Sequence, residues 1–324
     1  MSKTFNWGIL GPGRIAGRFA GVVADMPDVR VLALGSRSRE RGEQFAAAHG
    51  VERVYDSYEA LADDPDVDAI YVCTPHSFHA KHARLCLERG KPVLCEKPMA
   101  VNARQVQEMI DTARRQGVFL MEAMWVRFTP VTRTVLGWLK EGCIGEPRLL
   151  SGHYGFRTEV NPRSRLFDPA LAGGSLLDMG VYGVSTAAMV FGPSPVEISA
   201  EAHVGKTGVD EQVAMLLRYP NGELAMLSSA IRTRLNQPVW IHGTHGAISM
   251  EQMGGMQSAT LRVDGEDPIT VEDEAHFGFE IAEAISCIRE ERIESEIWPP
   301  ECTLATHRIM DEVRRQIGVR YPVE

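Results

Sequence analysis

The sequence predicts an α/β protein in two parts: an N-terminal doubly wound parallel sheet, then a C-terminal α+β domain with a large, mainly antiparallel open sheet. Three observations lead there. Short apolar runs alternate with helical patterns over roughly the first 120 residues, the texture of βαβ units. The texture changes near residue 122, and between Val196 and Val271 strand patterns follow one another with no helix between them. The 324 residues also exceed what a single core usually fills, so two domains are expected, 1–122 and 123–324.

Phe5-Asn6-Trp7-Gly8-Ile9-Leu10 reads as the first strand, and 14–25 as the helix after it. Segments 29–34 and 39–50 repeat that pair. Ala69-Ile70-Tyr71-Val72-Cys73 is a continuous apolar run, as a strand buried on both faces requires. A helix over 79–89 closes at Gly90, a residue suited to a left-handed helix end. Residues 92–96 form the next strand and 102–116 the next helix, closing at Gly117. In the second half, 149–156 alternates like a strand. Strands over 210–219 and 223–231 flank Pro220-Asn221-Gly222, a hairpin signal because Asn and Gly tolerate positive φ. Helices are expected near 174–191 and 276–291, and a last one, about 303–317, is free to pack back on the first domain.

Lys and Arg total 34 against 43 Asp and Glu, a formal charge of −9, with no locally basic face. That balance argues against nucleic acid and acidic lipid surfaces as partners. No stretch reads as approaching the ~18 uncharged apolar residues of a membrane span. The first strand begins too early to leave room for a signal peptide. Six cysteines without a Cys-x-x-Cys pair read as free thiols, and a cytoplasmic location is the expectation.

Gly11-Pro12-Gly13-Arg14-Ile15-Ala16 fits G-x-G-x-x-A between a strand and a helix, the dinucleotide turn of a Rossmann domain. Gly11 permits the tight turn, Gly13 lets the backbone approach a pyrophosphate, and Ala16 lets helix and strand pack closely. Arg14 and Ile15 open the helix whose N-terminus attracts the phosphates. The second strand runs into Gly35-Ser36-Arg37-Ser38-Arg39-Glu40-Arg41. An NAD site usually carries Asp or Glu at that tip, bonded to the ribose 2′-hydroxyl. Here Arg37 and Arg41 can pair with a 2′-phosphate while Ser36 donates a hydrogen bond, so NADP(H) is the expected cofactor. One charge-assisted bond contributes about 1.5–3 kcal/mol. Glu40 opposes this reading, and a solvated basic helix start is its structural alternative.

Lys97, in Glu96-Lys97-Pro98 at the C-terminal end of a parallel strand, lies where open α/β sheets bind ligands. An ammonium there can hydrogen-bond a substrate hydroxyl and stabilise the alkoxide that forms as hydride leaves carbon. The structural alternative is a surface lysine paired with Glu96. Asp178 and Tyr182 are four apart on an expected helix, hence on one face. Ser175-Leu176-Leu177-Asp178 also fits the S/T-x-x-D/E helix-start pattern, so the aspartate can equally satisfy backbone N–H groups. Tyr182 can equally be a buried tyrosine of an amphipathic helix. His76, His79 and His82 recur at intervals of three, but no carboxylate or thiolate completes a set and no metal is expected.

Cys95-Glu96-Lys97-Pro98, with Thr74-Pro75-His76-Ser77-Phe78-His79, closely resembles the glucose–fructose oxidoreductase and inositol dehydrogenase family. The segments Glu122-Ala123-Met124-Trp125-Val126-Arg127-Phe128 and Gly173 to Tyr182 are most similar to its dimeric dihydrodiol dehydrogenase and NADP-dependent D-xylose dehydrogenase branch. The resemblance covers nearly the whole chain. It implies a Rossmann domain followed by an open sheet, with Lys97 as the catalytic lysine. Relatives often carry histidine where Tyr182 stands, so Tyr182 is the implied general acid/base. A free phenol, with a pKa of about 10, is a poor base unless a cation such as Lys97 favours phenolate. Asp178 would then position the substrate or the lysine. Thr74, Pro75, His76, His79, Glu96 and Arg165 are implied cofactor contacts, although the family usually has asparagine at His76. Trp125 and Arg127 are candidates for the substrate cleft, with core packing as their alternative.

The expected function is an NADP(H)-dependent dehydrogenase or reductase acting on a CH–OH group of a sugar or cyclic vicinal diol. Its alternatives are an enzyme resembling glucose–fructose oxidoreductase with tightly bound NADP, and a non-catalytic NADP-binding redox sensor. The family also implies a homo-oligomer, a dimer first, through exposed sheet faces.

Overall fold

The computed structural model describes residues 4–236, 238–251, 257–274 and 276–324. Contacts divide the chain into two compact units. The first comprises Met1–Ala100, Arg104–Trp125 and His276–Pro300; the second comprises Val101–Ala103, Val126–Ala275 and Glu301–Glu324.

In the first unit β1 (Phe5–Leu10) is buried along its whole length, as its apolar run requires. It leads through the glycine turn into α1 (Arg14–Ala24), β2 (Val29–Gly35), α2 (Arg39–His49), β3 (Arg53–Tyr55) and α3 (Tyr58–Asp63). Then follow β4 (Ala69–Val72), α4 (His79–Leu87), β5 (Val93–Glu96), α5 (Ala103–Gln116) and β6 (Leu120–Ala123). The six strands run parallel in the order β3-β2-β1-β4-β5-β6. This is the doubly wound Rossmann order, whose reversal between β1 and β4 opens a crevice at the C-terminal strand ends. Trp7 meets Phe19 edge-on at 5.3 Å, and Phe19 stacks on Tyr71 at 4.0 Å, joining α1 to β1 and β4. Burying each ring stabilises the sheet by about 1.5–3 kcal/mol.

In the second unit α6 (Pro130–Lys140) is capped by Thr129, whose hydroxyl accepts from Thr132 N–H, and β7 (Pro147–Arg157) follows. A π-turn, Leu176–Gly180, runs into α7 (Val181–Phe191). Then come β8 (Glu197–Val204), β9 (Asp210–Arg218), β10 (Leu224–Ala230) and β11 (Arg232–Asn236). They are followed by β12 (Val239–Gly243), β13 (Gly246–Met250), β14 (Ser258–Val263) and β15 (Ile269–Glu272). Nine strands form one sheet in the order β15-β14-β13-β12-β7-β10-β9-β8, with β11 also paired to β7. All pairs are antiparallel except β7 with β10. The expected β9–β10 hairpin turns at Gly222, where φ is 85°. From Gln212 to Arg218 β9 alternates exposed and buried, so one sheet face is covered and the other open.

The sequence reading drew one boundary, at 122–123, whereas α8 (Gly278–Arg289) and the residues after it belong to the first unit. The reason is specific bonding: Leu120 N–H donates to Ile293 O at 3.1 Å, and Trp298 Nε1 donates to Glu122 at 3.1 Å. The last helix, α9 (Pro300–Ile317), lies with the second unit rather than the first. Its Gln316 amide donates to Ile198 O at 2.7 Å and accepts from Ala200 N–H at 2.9 Å, on the edge strand β8. One further expectation needs correction. The stretch Pro169–Phe191 is long and apolar enough by composition to cross a membrane, and 83% of its most apolar part is buried inside the protein.

Candidate active site

The glycine turn sits at the C-terminal end of β1. Gly11 adopts φ 106°, a conformation that favours glycine, and its N–H donates to Gly35 O at 3.1 Å. Gly13 caps α1 without any side-chain bond, and the first turn of α1 carries no acidic residue. A Cβ placed on Gly13 would meet no protein atom within 4 Å. Packing among the protein's own atoms therefore does not require this glycine, whereas close approach of a pyrophosphate does. Arg14 is exposed, Ile15 half-buried and Ala16 fully buried against the sheet. The turn fits a dinucleotide at the helix N-terminus.

At the tip of β2 the guanidinium of Arg37 lies 5.8 Å over the Phe78 ring, and Arg41 donates to Pro12 O at 3.3 Å. Both are exposed, and both charges act on Tyr58, whose phenol burial nevertheless pushes up. Glu40 accepts from Gln44 at 3.3 Å, along its own helix. Ser36 is 2% exposed and its hydroxyl donates to Ser38 O at 2.7 Å, so that proton is engaged in the turn into α2.

Thr74 and Pro75 follow β4. His79 links them to the lysine loop: its Nε2 lies 2.6 Å from Thr74 O and its Nδ1 2.8 Å from Pro98 O. The buried His76 ring stands edge-on to His79 at 5.7 Å. Nδ1 of His82 meets the Thr74 hydroxyl at 3.0 Å, and its ring stacks on Phe78 at 5.5 Å. Burial pushes His82 down to about 4, with the Lys81, His79 and Arg37 charges adding to the effect. Among the described residues no three His, Cys, Asp or Glu side chains are grouped to hold a metal.

Lys97 is half-buried at the end of β5. Glu96 beside it accepts from the Tyr71 hydroxyl and, at 3.1 Å, from Lys97 N–H. Burial, with the Glu96 charge second, holds the Tyr71 phenol well above its ordinary range. Glu122 accepts from Met99 N–H at 2.9 Å with one oxygen and from Trp298 with the other. Trp125 stands edge-on to Phe277 at 5.1 Å.

The remaining candidates lie in the second unit. Asp178, 2% exposed, is gripped by both terminal nitrogens of Arg165, at 3.2 and 3.3 Å. Tyr182, 6% exposed, opens α7 with its ring edge-on to Tyr154 at 5.5 Å. Arg127 is half-buried, and burial lowers its guanidinium pKa.

Ser175 itself makes no side-chain cap bond at the start of Ser175-x-x-Asp178. Its hydroxyl donates instead to Asp210 at 2.9 Å, and Leu176 N–H donates to the same oxygen at 2.7 Å. The cap thus arrives from β9, a residue that sequence reasoning missed. Gly174, at φ 116°, makes room for it: a Cβ there would stand 2.2 Å from Asp210 Oδ1. Burial pushes the Asp210 carboxyl up to about 6, against the hydrogen bonds that favour its charge.

A Rossmann sheet with this glycine turn and lysine loop, joined to a large open sheet, defines an NAD(P)-binding oxidoreductase. Residues 5–124 match the model "Oxidoreductase family, NAD-binding Rossmann fold", and residues 132–249 match the "GFO/IDH/MocA C-terminal domain". The chain belongs to the GFO/IDH/MocA oxidoreductase family, as the resemblance of its motifs implied. It is 37% identical over 329 residues to trans-1,2-dihydrobenzene-1,2-diol dehydrogenase of Mus musculus, covering 98% of each chain. The enzyme of that name from Xenopus tropicalis is 36% identical over 330 residues, with 98% of this chain and 99% of the relative covered. Among solved structures, an aldose–aldose oxidoreductase from Caulobacter crescentus superposes with TM-score 0.89 at 26% identity, covering 98% of both chains. A 3-ketoreductase from Actinomadura kijaniata in complex with NADP and TDP-benzene superposes with TM-score 0.87 at 26% identity, covering 97% and 98%. These relatives are dehydrogenases and reductases, consistent with an enzyme acting on CH–OH groups.

Proposed function

We propose that the protein is an NADP(H)-dependent dehydrogenase that moves a hydride between nicotinamide and a carbinol or carbonyl carbon of a cyclic vicinal diol or a sugar. The observation that carries this reading is the placement of Lys97. It stands at the mouth of the parallel sheet on a loop pinned by His79 through Pro98, by Tyr71 through Glu96 and by Glu122 through Met99. A bound dinucleotide supplies the hydride chemistry. The Lys97 ammonium hydrogen-bonds the substrate hydroxyl oxygen and stabilises the charge that develops there. Tyr182 takes that hydroxyl proton in oxidation and returns it in reduction. Asp178, held by Arg165, orients neighbouring hydroxyls, and Trp125 and Arg127 complete the substrate contacts. Arg37 and Arg41 select the 2′-phosphate, a choice supported by the NADP in the 3-ketoreductase complex.

The test is purified protein with NADP and, in parallel, NAD, against trans-diols of cyclohexadienes and a set of pentoses and hexoses. Reduced-nicotinamide absorbance should rise with NADP and at least one substrate; no rise with any of them rejects the reading. The likeness to an aldose–aldose oxidoreductase favours a second reading, in which retained cofactor shuttles hydride between two sugars. Mass spectrometry of denatured, freshly purified protein separates the two by showing whether the dinucleotide co-purifies.

We further infer a homodimer through the open sheet face. Leu216 and Met226 pair across β9 and β10 and are 41% and 43% exposed. Light scattering reporting a monomer at micromolar concentration would remove this inference.

A further inference from the structure

We propose that Asp210 is the positioning residue for Asp178 and Tyr182: from the head of β9 it holds the first turn of their helix and sets where both present their polar atoms. The proposal rests on the reading that Tyr182 handles the substrate proton. Asp210 is 0% exposed. Its Oδ2 accepts from Leu176 N–H and the Ser175 hydroxyl, while among the described residues Oδ1 has no hydrogen-bond partner. The Ser175 hydroxyl also lies 3.0 Å from the Ser229 hydroxyl, so the cap is fastened to β9 and β10 together.

This cap has an unusual object. Val181 N–H bonds to Leu176 O, the i→i+5 bond of a π-turn, a form found mostly at functional sites. Asp178 lies inside that turn and Tyr182 just past it. An N-cap needs only an acceptor, which serine or asparagine supplies without an ionisable group. Asp210 instead places an ionisable group in the interior, and it forms no ion pair among the described residues. Tyr321 faces it from the C-terminal segment, donating to Gly173 O at 2.7 Å, with the Arg314 guanidinium 5.1 Å over its ring. Arg314 is engaged with Asp311 and Glu324, and Glu211, next along β9, meets Arg232 at 3.6 Å. The carboxyl titrates near 6 for the reason given above, burial. Its charged form therefore strains the fold at neutral pH, and stability should rise as pH falls through 6.

Full-length Asp210→Ala, Asp210→Asn and Ser175→Ala variants test the proposal by steady-state kinetics, NADPH fluorescence titration and melting between pH 5 and pH 7.5. We expect Asp210→Ala to lower kcat by about 10²-fold. Its NADPH affinity should stay within about twofold, because the glycine turn is built in the other unit. Asp210→Asn keeps the acceptor at Oδ2 and should restore most of that kcat, while its melting temperature loses the rise on acidification seen in the wild type. Ser175→Ala should lower kcat less, and add little in the Asp210→Ala background. A folded Asp210→Ala protein with wild-type kcat overturns the proposal, as does an Asp210→Asn protein as impaired as the alanine variant. If Asp210→Ala does not fold, wild-type kcat in Ser175→Ala together with an unchanged melting slope in Asp210→Asn overturns it. A wild type inactive on every diol and sugar rejects the functional reading instead. That failure is told apart because the melting slopes are measured without turnover.

Discussion

The glycine turn of the first unit is built from neighbours in sequence, whereas the π-turn of the second is held by a carboxylate 35 positions away. Gly11, Gly13 and the start of α1 form one continuous segment, and Arg41 reaches back to Pro12 from the next βα connection. Asp178 and Tyr182 depend on β9 and β10, strands the chain has yet to form when it passes them. Both regions disfavour buried charge, and the shift takes opposite signs because one group is a base and the other an acid. Burial holds His82 neutral, down to about 4, and raises Asp210 to about 6. Local chemistry can be carried by a motif, while chemistry set by tertiary packing requires a partner that no short pattern contains.

The sharpest way to break this comparison is to remove the lysine. Lys97→Met should lower kcat by about 10²–10³-fold, the usual cost of losing a donor aimed at developing charge. Near-normal turnover would dissolve the role of the first unit in proton handling. Tyr182→Phe should cost about 10²-fold and remove one limb of the pH–rate profile; an intact profile would place the base elsewhere. The paired Arg37→Ala, Arg41→Ala variant should raise KM for NADP about ten- to a hundredfold while leaving KM for NAD nearly unchanged. Equal effects on both cofactors would reduce the arginines to a solvated helix start.

The smallest effect concerns stability. The His82 ring sits at about 4 against an ordinary 6.5, so the stability it supports is present above 6.5 and drains as pH falls toward 4. Denaturant titrations at stepped pH should show His82→Gln losing less stability over that window, by about 3 kcal/mol at most. Asp210 works in the reverse sense, full below its ordinary 3.8 and lost as pH rises through 6. A His82→Gln protein with wild-type acid sensitivity would remove that contrast.

Most of the Rossmann half was legible because each element announces itself locally. The apolar run at Ala69–Val72 and the glycines at 90 and 117, with φ of 72° and 66°, stand where the pattern put them. β3, three residues long and half-buried throughout, and the six-residue α3 were missed because neither spans enough positions to show a period. The return of α8 to the first unit rests on Glu122 and Trp298, 176 positions apart, a pairing that periodicity cannot convey. A faint signal did exist: Glu122 is a lone carboxylate inside the apolar run Leu120-Met121-Glu122-Ala123, which calls for buried donors. Ser175-x-x-Asp178 shows the opposite case. The local pattern was correct in form, but both members were recruited by more distant partners, Asp210 and Arg165.

Gln316 offers a last lesson in architecture. Its side-chain amide gives one proton to Ile198 O and takes one from Ala200 N–H, as a neighbouring strand's peptide would. A single glutamine thus stands in for a tenth strand and occupies a rung where a foreign β-segment could dock. Shortening the polypeptide before this residue should uncover that rim, turning a closed margin of the sheet into a template for aggregation.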